Sequence, residues 1–314
     1  MHSETEKGKK EMTQLTTTNT NNFSAMSKLM GIANEGSSSK SSTLPRMRIN
    51  HKPIMGLAEV NGKKVNMEVI EGGTFRLDMP DGKTVYGKPA NLRLFVQRFL
   101  YKRYVPGVDK APNRFIKTLM TDDAKMDYDL KDDDGGFNCG KQAGYIADFQ
   151  ALPEKMQKLI KEIKRVRAVF GTVELVDAVN DKGEPVDMAA TPFIWEIDNR
   201  DAFKEFGNVF TKFVKGNRLP PSHTVTVNTA EQKMNNGDSY YLPVASIDLN
   251  NVIELSEDDD ETLGNFINWI DNYNEYVSNA WSDKAREEMA MSHEDMDVVD
   301  DFVDIDVDDE QEVA

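Results

Sequence analysis

From Leu44 onward, pairs of turn-forming residues divide the sequence into short apolar segments, and this division restricts the folds open to the chain. Asn61-Gly62 and Asp81-Gly82 are typical of two-residue hairpin turns, because type I′ turns need a positive φ at both central positions. The segments around them predict four short strands, at 46–49, 65–70, 74–79 and 84–86. A chain that reverses direction this often favours antiparallel pairing.

The rest of the chain interleaves predicted helices with further strands. Apolar periodicity and turn signals predict strands at 91–104, 113–120, 170–179, 191–197, 223–232 and 239–247. Helices are predicted from Pro153 through Val166, from a cap at Asp198 or Asn199 to Gly216, and from Ser256 onward. This order predicts an α+β fold, specifically an OB-like antiparallel β-barrel elaborated with helices. An antiparallel sheet with helices on one side fits the same pattern.

Both ends of the chain differ in composition from the middle. Residues 1–43 are rich in Ser, Thr and Asn without apolar periodicity, and predict a disordered arm. Residues 294–314 hold eleven acids and no Lys or Arg, so they account for most of the formal net charge of −16. The sequence therefore predicts a folded body at 44–290 and a disordered acidic tail at 291–314.

Several classes of protein are disfavoured by composition and motifs. No apolar run approaches the ~18 residues of a membrane span, and the N-terminus lacks a signal-peptide core, so a cytoplasmic protein without membrane contact is expected. The single cysteine, Cys139, excludes an internal disulfide, and four scattered histidines disfavour a metal site. There is no phosphate-binding GxxxxGK[ST] loop. We expect neither a cofactor nor a metal.

The segment 91–120 is strongly basic and aromatic, with seven cations against one acid. Binding of single-stranded nucleic acid needs cations for phosphates and exposed rings on which bases stack. Strand alternation would place Arg93, Phe95, Gln97, Phe99, Tyr101 and Arg103 on one face. The predicted binding residues in this segment are Arg93, Phe95, Arg98, Phe99, Tyr101, Lys102, Arg103, Tyr104, Arg114 and Lys117. Alternatively, Phe95 and Phe99 belong to the core and the arginines rim the sheet.

A second basic cluster follows Pro153, on the predicted helix. Its candidate binding residues are Lys158, Lys161, Lys164 and Arg165, which could form another wall of the same groove. Lysines on the open face of an amphipathic helix are also ordinary solvent-exposed residues.

A catalytic function has weak support. Four acids around one predicted hairpin could bind the metals of a nuclease: Glu174, Asp177, Glu184 and Asp187. Nothing in their spacing distinguishes them from turn residues, so no enzymatic activity is predicted.

Three short segments give the sequence a family likeness, together with its basic body and acidic tail: Thr191-Pro192-Phe193-Ile194-Trp195-Glu196, Tyr240-Tyr241-Leu242-Pro243 and Phe266-Ile267-Asn268-Trp269-Ile270. Over residues 44–314 the chain resembles the single-stranded DNA-binding proteins of tailed bacteriophages. The resemblance implies an OB-fold that coats transient single strands during replication, recombination and repair in the host bacterial cytoplasm. It also implies a tail that docks on a polymerase, helicase or primase. The ending Glu312-Val313-Ala314, without a terminal aromatic, departs from many such tails, as does the long N-terminal arm.

These observations suggest a tail that competes with DNA for the basic groove and becomes free to recruit partners when DNA displaces it. Its candidate contact residues are Asp297, Asp300, Asp301, Phe302, Asp304, Asp306, Asp308 and Asp309. The alternative function is a phage structural or scaffold-type interaction protein, for which the tail would only provide solubility.

Overall fold

A computed structural model describes residues 44–60, 63–107, 112–124, 130–136, 139, 146–234 and 237–303. The predicted arm at 1–43 lies outside the described residues, as do Asn61-Gly62 and the end of the tail at 304–314. The described chain forms eleven strands: β1 Arg46–Ile49, β2 Ile54–Val60, β3 Lys63–Ile70, β4 Phe75–Asp78, β5 Thr84–Gly87, β6 Ala90–Val105, β7 Arg114–Lys117, β8 Ile163–Leu175, β9 Thr191–Ile197, β10 Val225–Lys233 and β11 Ser239–Ile247. Its three α-helices are α1 Glu154–Glu162, α2 Arg200–Lys215 and α3 Glu257–Val303.

Nine of the strands form one mixed sheet in the order β11-β10-β6-β8-β9-β1-β4-β5, with β7 paired beside β6. All of its pairings are antiparallel except that of β1 with β9. The hairpin of β2 and β3 is a separate two-stranded sheet. The fold is therefore α+β, as the element pattern predicts.

The prediction of an OB-like barrel is wrong, because the large sheet is open. Within the described residues no pairing joins the edge strand β11 to the edge strand β5. Helix α2 packs on one face of the sheet through Phe206, Phe210 and Phe213, and α3 packs on the other through Phe266 and Ile270. Since helices bury both apolar faces, the strands need not close on themselves to form a core.

The two faces differ in what they bury. The α2 face, which packs against α2, includes Leu92, Leu94 and Trp195 in the largest core cluster. The α3 face, which packs against α3, includes Val96 and Leu100. On β6, Leu92 and Leu94 face α2, whereas Val96 and Leu100 face α3, although all four residues are even-numbered. The side-chain alternation of this strand therefore reverses between Leu94 and Val96.

A bulge in β6 explains the reversal. The register with β8 shifts between Leu94 and Val96, where Leu94 pairs with Gly171 and Val96 with Phe170. A Cβ atom at Gly171 would lie 2.2 Å from the carbonyl oxygen of Arg93, so only glycine permits this approach. One extra residue moves every following side chain to the opposite face. The single continuous face predicted for Arg93 to Arg103 is thus split by the bulge.

Helix α1 is shorter than its sequence pattern predicts. It ends at Glu162, and Ile163 begins β8, so Lys164 and Arg165 lie on a strand rather than on the helix. The β-branched residues in and after the sequence Ile163-Lys164-Arg165-Val166 favour a strand that pairs along β6 over thirteen residues. Tertiary pairing overrides the helical periodicity here.

Helix α3 is longer than predicted. It opens at the Ser256 cap and continues through Val303. The helix includes residues 294–303, and the disordered acidic tail predicted at 291–314 stays a prediction. In the described part of the chain no helix is long and apolar enough to cross a membrane.

Candidate functional site

The candidate site lies between α2 and the α2 face of the sheet. Asn199 begins the helix: its side-chain oxygen accepts hydrogen bonds from the backbone N–H groups of Asp201 and Ala202, at 2.9 and 3.1 Å. The buried stripe of α2 then holds Phe206 and Phe210, and Phe203 packs partly buried beside them. This stripe fixes the distance of the helix from β6 and β8, and leaves a cleft of about 940 Å³ that runs along α2 from Arg200 to Val214. We call it the α2 cleft.

Arg167 forms the base of the α2 cleft and is only 6 % exposed. Its guanidinium carbon lies 4.5 Å from the ring centre of Phe203, 4.9 Å from that of Phe99 and 5.9 Å from that of Phe210. Its Nη1 donates a hydrogen bond to the side-chain oxygen of Gln97. The three rings hold the cation in one position through contacts with their faces.

The charge of Arg167 is not balanced by any carboxylate within the described residues. No acidic group there lies within 4 Å of its guanidinium, and its buried Nε has no hydrogen-bond partner. Burial, assisted by repulsion from Arg165, lowers the pKa of Arg167 to about 10. A buried cation without a counter-ion is costly, so an anion that entered the cleft would gain a strong electrostatic contact.

Other cations surround Arg167 in the lining of the cleft. Lys164, Arg165, Arg200 and Lys204 join it, against two carboxylates, Asp122 and Asp198. Arg165 contacts the same aromatic cluster, with its guanidinium carbon 4.6 Å from the ring centre of Phe203. The lining thus combines five cations with three phenylalanine rings, which suits a ligand that carries both negative charge and flat apolar surface.

The structure distributes the predicted binding residues of β6 over different environments. Arg93 faces α3, where its guanidinium forms two hydrogen bonds with the carboxylate of Asp259, at 2.8 and 2.9 Å. Phe95 packs against Phe266 on the same face. Arg98 donates to the carbonyl oxygen of its neighbour Gln97. None of these three lines the α2 cleft.

Two further aromatic residues of β6 belong to the core. Phe99 is 3 % exposed and Tyr101 is 1 % exposed, so Tyr101 cannot stack on a base from solvent. Phe99 reaches the α2 cleft as part of its wall. Phe99 is thus a core residue, as the alternative interpretation has it, and Tyr101, which that alternative did not include, is buried as well.

Most of the remaining cations predicted from 91–120 form ion pairs. Arg103 contacts Glu162 at 3.2 Å, and Arg114 contacts Asp134 at 2.5 Å. Tyr104 differs from the others: it is 44 % exposed, and its ring centre lies 5.4 Å from that of Phe115.

Lys102 and Lys117 join an ion cluster around two carboxylates of β9 and its end. Lys117 contacts Glu196 at 2.6 Å, and Lys102 contacts Asp198 at 3.1 Å. Burial opposes ionisation of both acids, but the lysine ammonium groups outweigh it and hold the pKa values of Glu196 and Asp198 below their ordinary range. Lys164 reaches Asp198 from the α2 cleft at 3.6 Å.

The structure separates the residues of the second predicted cluster. Lys164 and Arg165 line the α2 cleft, whereas Lys158 and Lys161 are exposed on α1 and do not line it. The ammonium group of Lys161 lies over the ring of Phe149, 5.5 Å from its centre.

Sequence reasoning left three cations of the cleft out of the predicted site: Arg167, Arg200 and Lys204. Arg167 alternates with Arg165 in a segment otherwise rich in Val, a pattern of strand residues that share one face. Arg200 and Lys204 lie one turn apart at the start of α2, beside its cap. The first signal is readable only when 163–167 is recognised as a strand.

The four acids considered for a nuclease lie around the connection between β8 and β9. Asp177 has a positive φ of 51°, typical of a turn, and Glu184 accepts a hydrogen bond from the side chain of Asn180. Among the described residues no three His, Cys, Asp or Glu side chains come together in a way that could hold a metal ion.

Comparison with protein-family models finds no match for this chain, and comparisons with curated proteins and with solved structures find none either. The resemblance to phage single-stranded DNA-binding proteins therefore stays a prediction, and the functional conclusion depends on the site itself.

Proposed function

We propose that this protein binds single-stranded DNA in the α2 cleft, and that it coats transient single strands during phage replication, recombination and repair. The observation that carries the proposal is the buried guanidinium of Arg167, which three phenylalanine rings hold without a carboxylate partner among the residues that the structure describes. The sequence resemblance points in the same direction.

The chemistry of the α2 cleft fits a single strand better than a small anion. Five cations can contact successive phosphates, while Phe203 offers a ring beside them. Stacking on an aromatic ring contributes ~1–3 kcal/mol per base and is nearly independent of sequence. The binding is consequently expected to tolerate any sequence and to weaken with salt, with a slope of about −0.7 per phosphate contact in a plot of log affinity against log salt.

The substitution Arg167→Met tests the proposal. Methionine fills a similar volume and removes the buried charge, so the free energy of unfolding should stay the same or rise. Loss of the guanidinium should weaken binding of a labelled mixed-sequence strand by ~30-fold or more, since removing one partner of a buried charged contact costs at least about 2 kcal/mol. Fluorescence anisotropy gives the affinity and thermal unfolding gives the stability.

Lys182→Met is the matched control. Lys182 is an exposed residue of the turn between β8 and β9 and lines neither the α2 cleft nor its mouth. It should leave the affinity unchanged. A protein that binds no oligonucleotide, or binds equally well after Arg167→Met, would overturn the proposal and favour the structural interaction protein instead.

The acidic C-terminal segment is proposed to alternate with DNA in the α2 cleft. Its eleven carboxylates beyond residue 293 make it a polyanion that competes with DNA for the cations of the α2 cleft. DNA that displaces the segment frees it to bind replication proteins such as a polymerase, helicase or primase.

A further inference from the structure

A second cleft, of about 420 Å³, adjoins the α2 cleft at the N-terminal end of α2. Asp198 lines both clefts, and Asn199 and Ala202 of the same helix end line the second. The other walls of the second cleft come from β1, β6, β7, β9 and β11. The two clefts are thus neighbours that meet at Asp198, just before α2 begins.

The second cleft carries an exposed aromatic pair at its edge. Phe115 lines it and is 51 % exposed, and the ring of Tyr104 touches that of Phe115 with centres 5.4 Å apart. The ammonium group of Lys102 lies 5.0 Å from the centre of the Phe115 ring. Two large rings that contact each other and remain open to solvent contribute little to a core, whereas they offer a base a stacking surface beside a cation.

The charge of the second cleft also suits a polyanion. Four cations line it, Arg46, Arg48, Lys102 and Lys117, against the carboxylates Glu196 and Asp198. Arg48 contacts Asp78 at 3.4 Å, whereas Arg46 has no ion pair within the described residues. Positive charge therefore continues from the α2 cleft past the end of α2.

Asp198 lies where the two clefts meet. Its carboxylate contacts Lys164 of the α2 cleft at 3.6 Å and Lys102 of the second cleft at 3.1 Å. One acid thus neutralises a lysine on each side, and each lysine is positioned to exchange this carboxylate for a phosphate. The ammonium groups are already oriented toward the border.

We propose that a bound single strand crosses the N-terminal turn of α2 and continues into the second cleft, where a base stacks on the Phe115–Tyr104 pair. This inference depends on the proposed function, because it extends the strand that the α2 cleft binds. Arg167 pairs in register with Phe99 on one edge of β6, and Phe115 pairs with Tyr104 on its other edge, so the two contacts are five residues of β6 apart, or about 17 Å along the strand direction. The odd separation also turns the side chains of Phe99 and Tyr104 to opposite faces of β6, so a bound strand has to pass around the end of α2 to reach both. A strand of several nucleotides is therefore needed to reach both.

The experiment compares Phe115→Ala and Arg167→Met with two oligonucleotides, one of about 4 and one of about 12 nucleotides, which lie within the usual size range of single-strand sites. Phe115→Ala should weaken binding of the longer strand by roughly 5- to 100-fold, the loss of one stacked base, and leave the shorter one unchanged. Arg167→Met should weaken both. Phe115→Trp should restore or strengthen binding of the longer strand, because a larger ring stacks better.

Tyr276→Ala is the matched control, since Tyr276 is an exposed aromatic residue of α3 that lines neither cleft. If Phe115→Ala changes the binding of neither strand while Arg167→Met weakens both, the inference that DNA enters the second cleft fails and the proposed function stands. If Phe115→Ala weakens both strands equally, the order of the two contacts is wrong and the inference fails. If neither variant changes binding, the proposed function fails as well.

Discussion

A Cβ atom at Gly207 would lie 3.0 Å from Nη2 of Arg167. Glycine in the middle of a helix normally costs about 1 kcal/mol relative to alanine. At this position of α2 the missing side chain leaves room for the guanidinium at the base of the α2 cleft. The lower helix propensity of Gly207 is therefore offset by the space it provides for Arg167, the residue to which we assign the central contact with DNA.

Gly207→Ala should therefore weaken binding of single-stranded DNA by several-fold, because the new methyl group displaces Arg167. The gain in helix propensity should not appear as stability in the wild-type background. In an Arg167→Leu background the crowding is absent, and Gly207→Ala should raise the free energy of unfolding by about 1 kcal/mol. A thermodynamic cycle of the four proteins measures the coupling, and equal effects in both backgrounds would contradict the contact.

Asp198→Asn should increase the affinity for single-stranded DNA. The substitution keeps the shape of the side chain and removes the negative charge that Lys102 and Lys164 now share. Lys164 then loses its only ion pair within the described residues, and Lys102 keeps its contact with Glu196 at 3.8 Å, so one phosphate contact is added and the salt dependence should steepen by up to about 0.7. Anisotropy titrations at several salt concentrations provide the slope. A weaker complex with an unchanged slope would show that Asp198 serves the fold rather than the border of the clefts.

The ion cluster around Glu196 predicts a pH dependence of stability. Lysine contacts outweigh burial and lower the pKa of Glu196 from its ordinary value of 4.5, and that of Asp198 from 3.8. A carboxylate with a lowered pKa stabilises the fold above its ordinary pKa, and this contribution is lost as the pH falls through the lowered value. Thermal unfolding should thus show a midpoint that falls steadily in this acidic range.

Glu196→Gln should remove much of that acid sensitivity. At neutral pH the variant should be less stable by about 2 kcal/mol, because the buried ammonium group of Lys117 loses its counter-ion. The exposed ion pair between Asp81 and Lys83 provides the control. Asp81→Asn should leave the pH dependence of the unfolding midpoint nearly unchanged. A Glu196→Gln profile parallel to that of the wild type would assign the acid sensitivity to other groups.

Arg93→Met separates a structural role from a binding role. Its guanidinium holds the first turn of α3 through Asp259 and also donates to the carbonyl oxygen of Pro221 at 3.0 Å. Loss of these contacts should lower the free energy of unfolding by about 1.5–3 kcal/mol. The folded variant should bind single-stranded DNA with wild-type affinity, since Arg93 lies outside both clefts. A large loss of affinity for single-stranded DNA in a fully folded sample would show that Arg93 contacts the DNA.

Truncation after residue 293 tests the competing segment. Its removal should tighten DNA binding several-fold at low salt and have little effect at high salt, where screening already weakens the competition. A full-length variant with Asn in place of the Asp residues from 297 to 309 should behave like the truncation, because charge rather than length drives the competition. Affinity that does not respond to either change would contradict the proposed competition between the segment and DNA.

The sequence by itself determined most element types and the α+β class. Hairpin signals predicted the turn at Asp81-Gly82, where Gly82 has a φ of 86°, and the cap at Asn199 was readable from its place before an apolar stripe. Such features depend on residues close together in the chain, and local physics decides them. The basic character of 153–167 was equally visible, and it supplies Lys164 and Arg165 to the α2 cleft.

Only the tertiary structure decided which side chains meet. The bulge opposite Gly171 reversed the alternation of β6, and Arg93 and Phe95 consequently lie toward α3 while Phe99 lies toward α2. Pairing with β6 turned 163–167 from helix to strand and placed Arg167 among three rings. Two helices cover the sheet and replace the closure that a barrel would require. Each of these outcomes depends on contacts between distant segments, where packing outweighs local propensity.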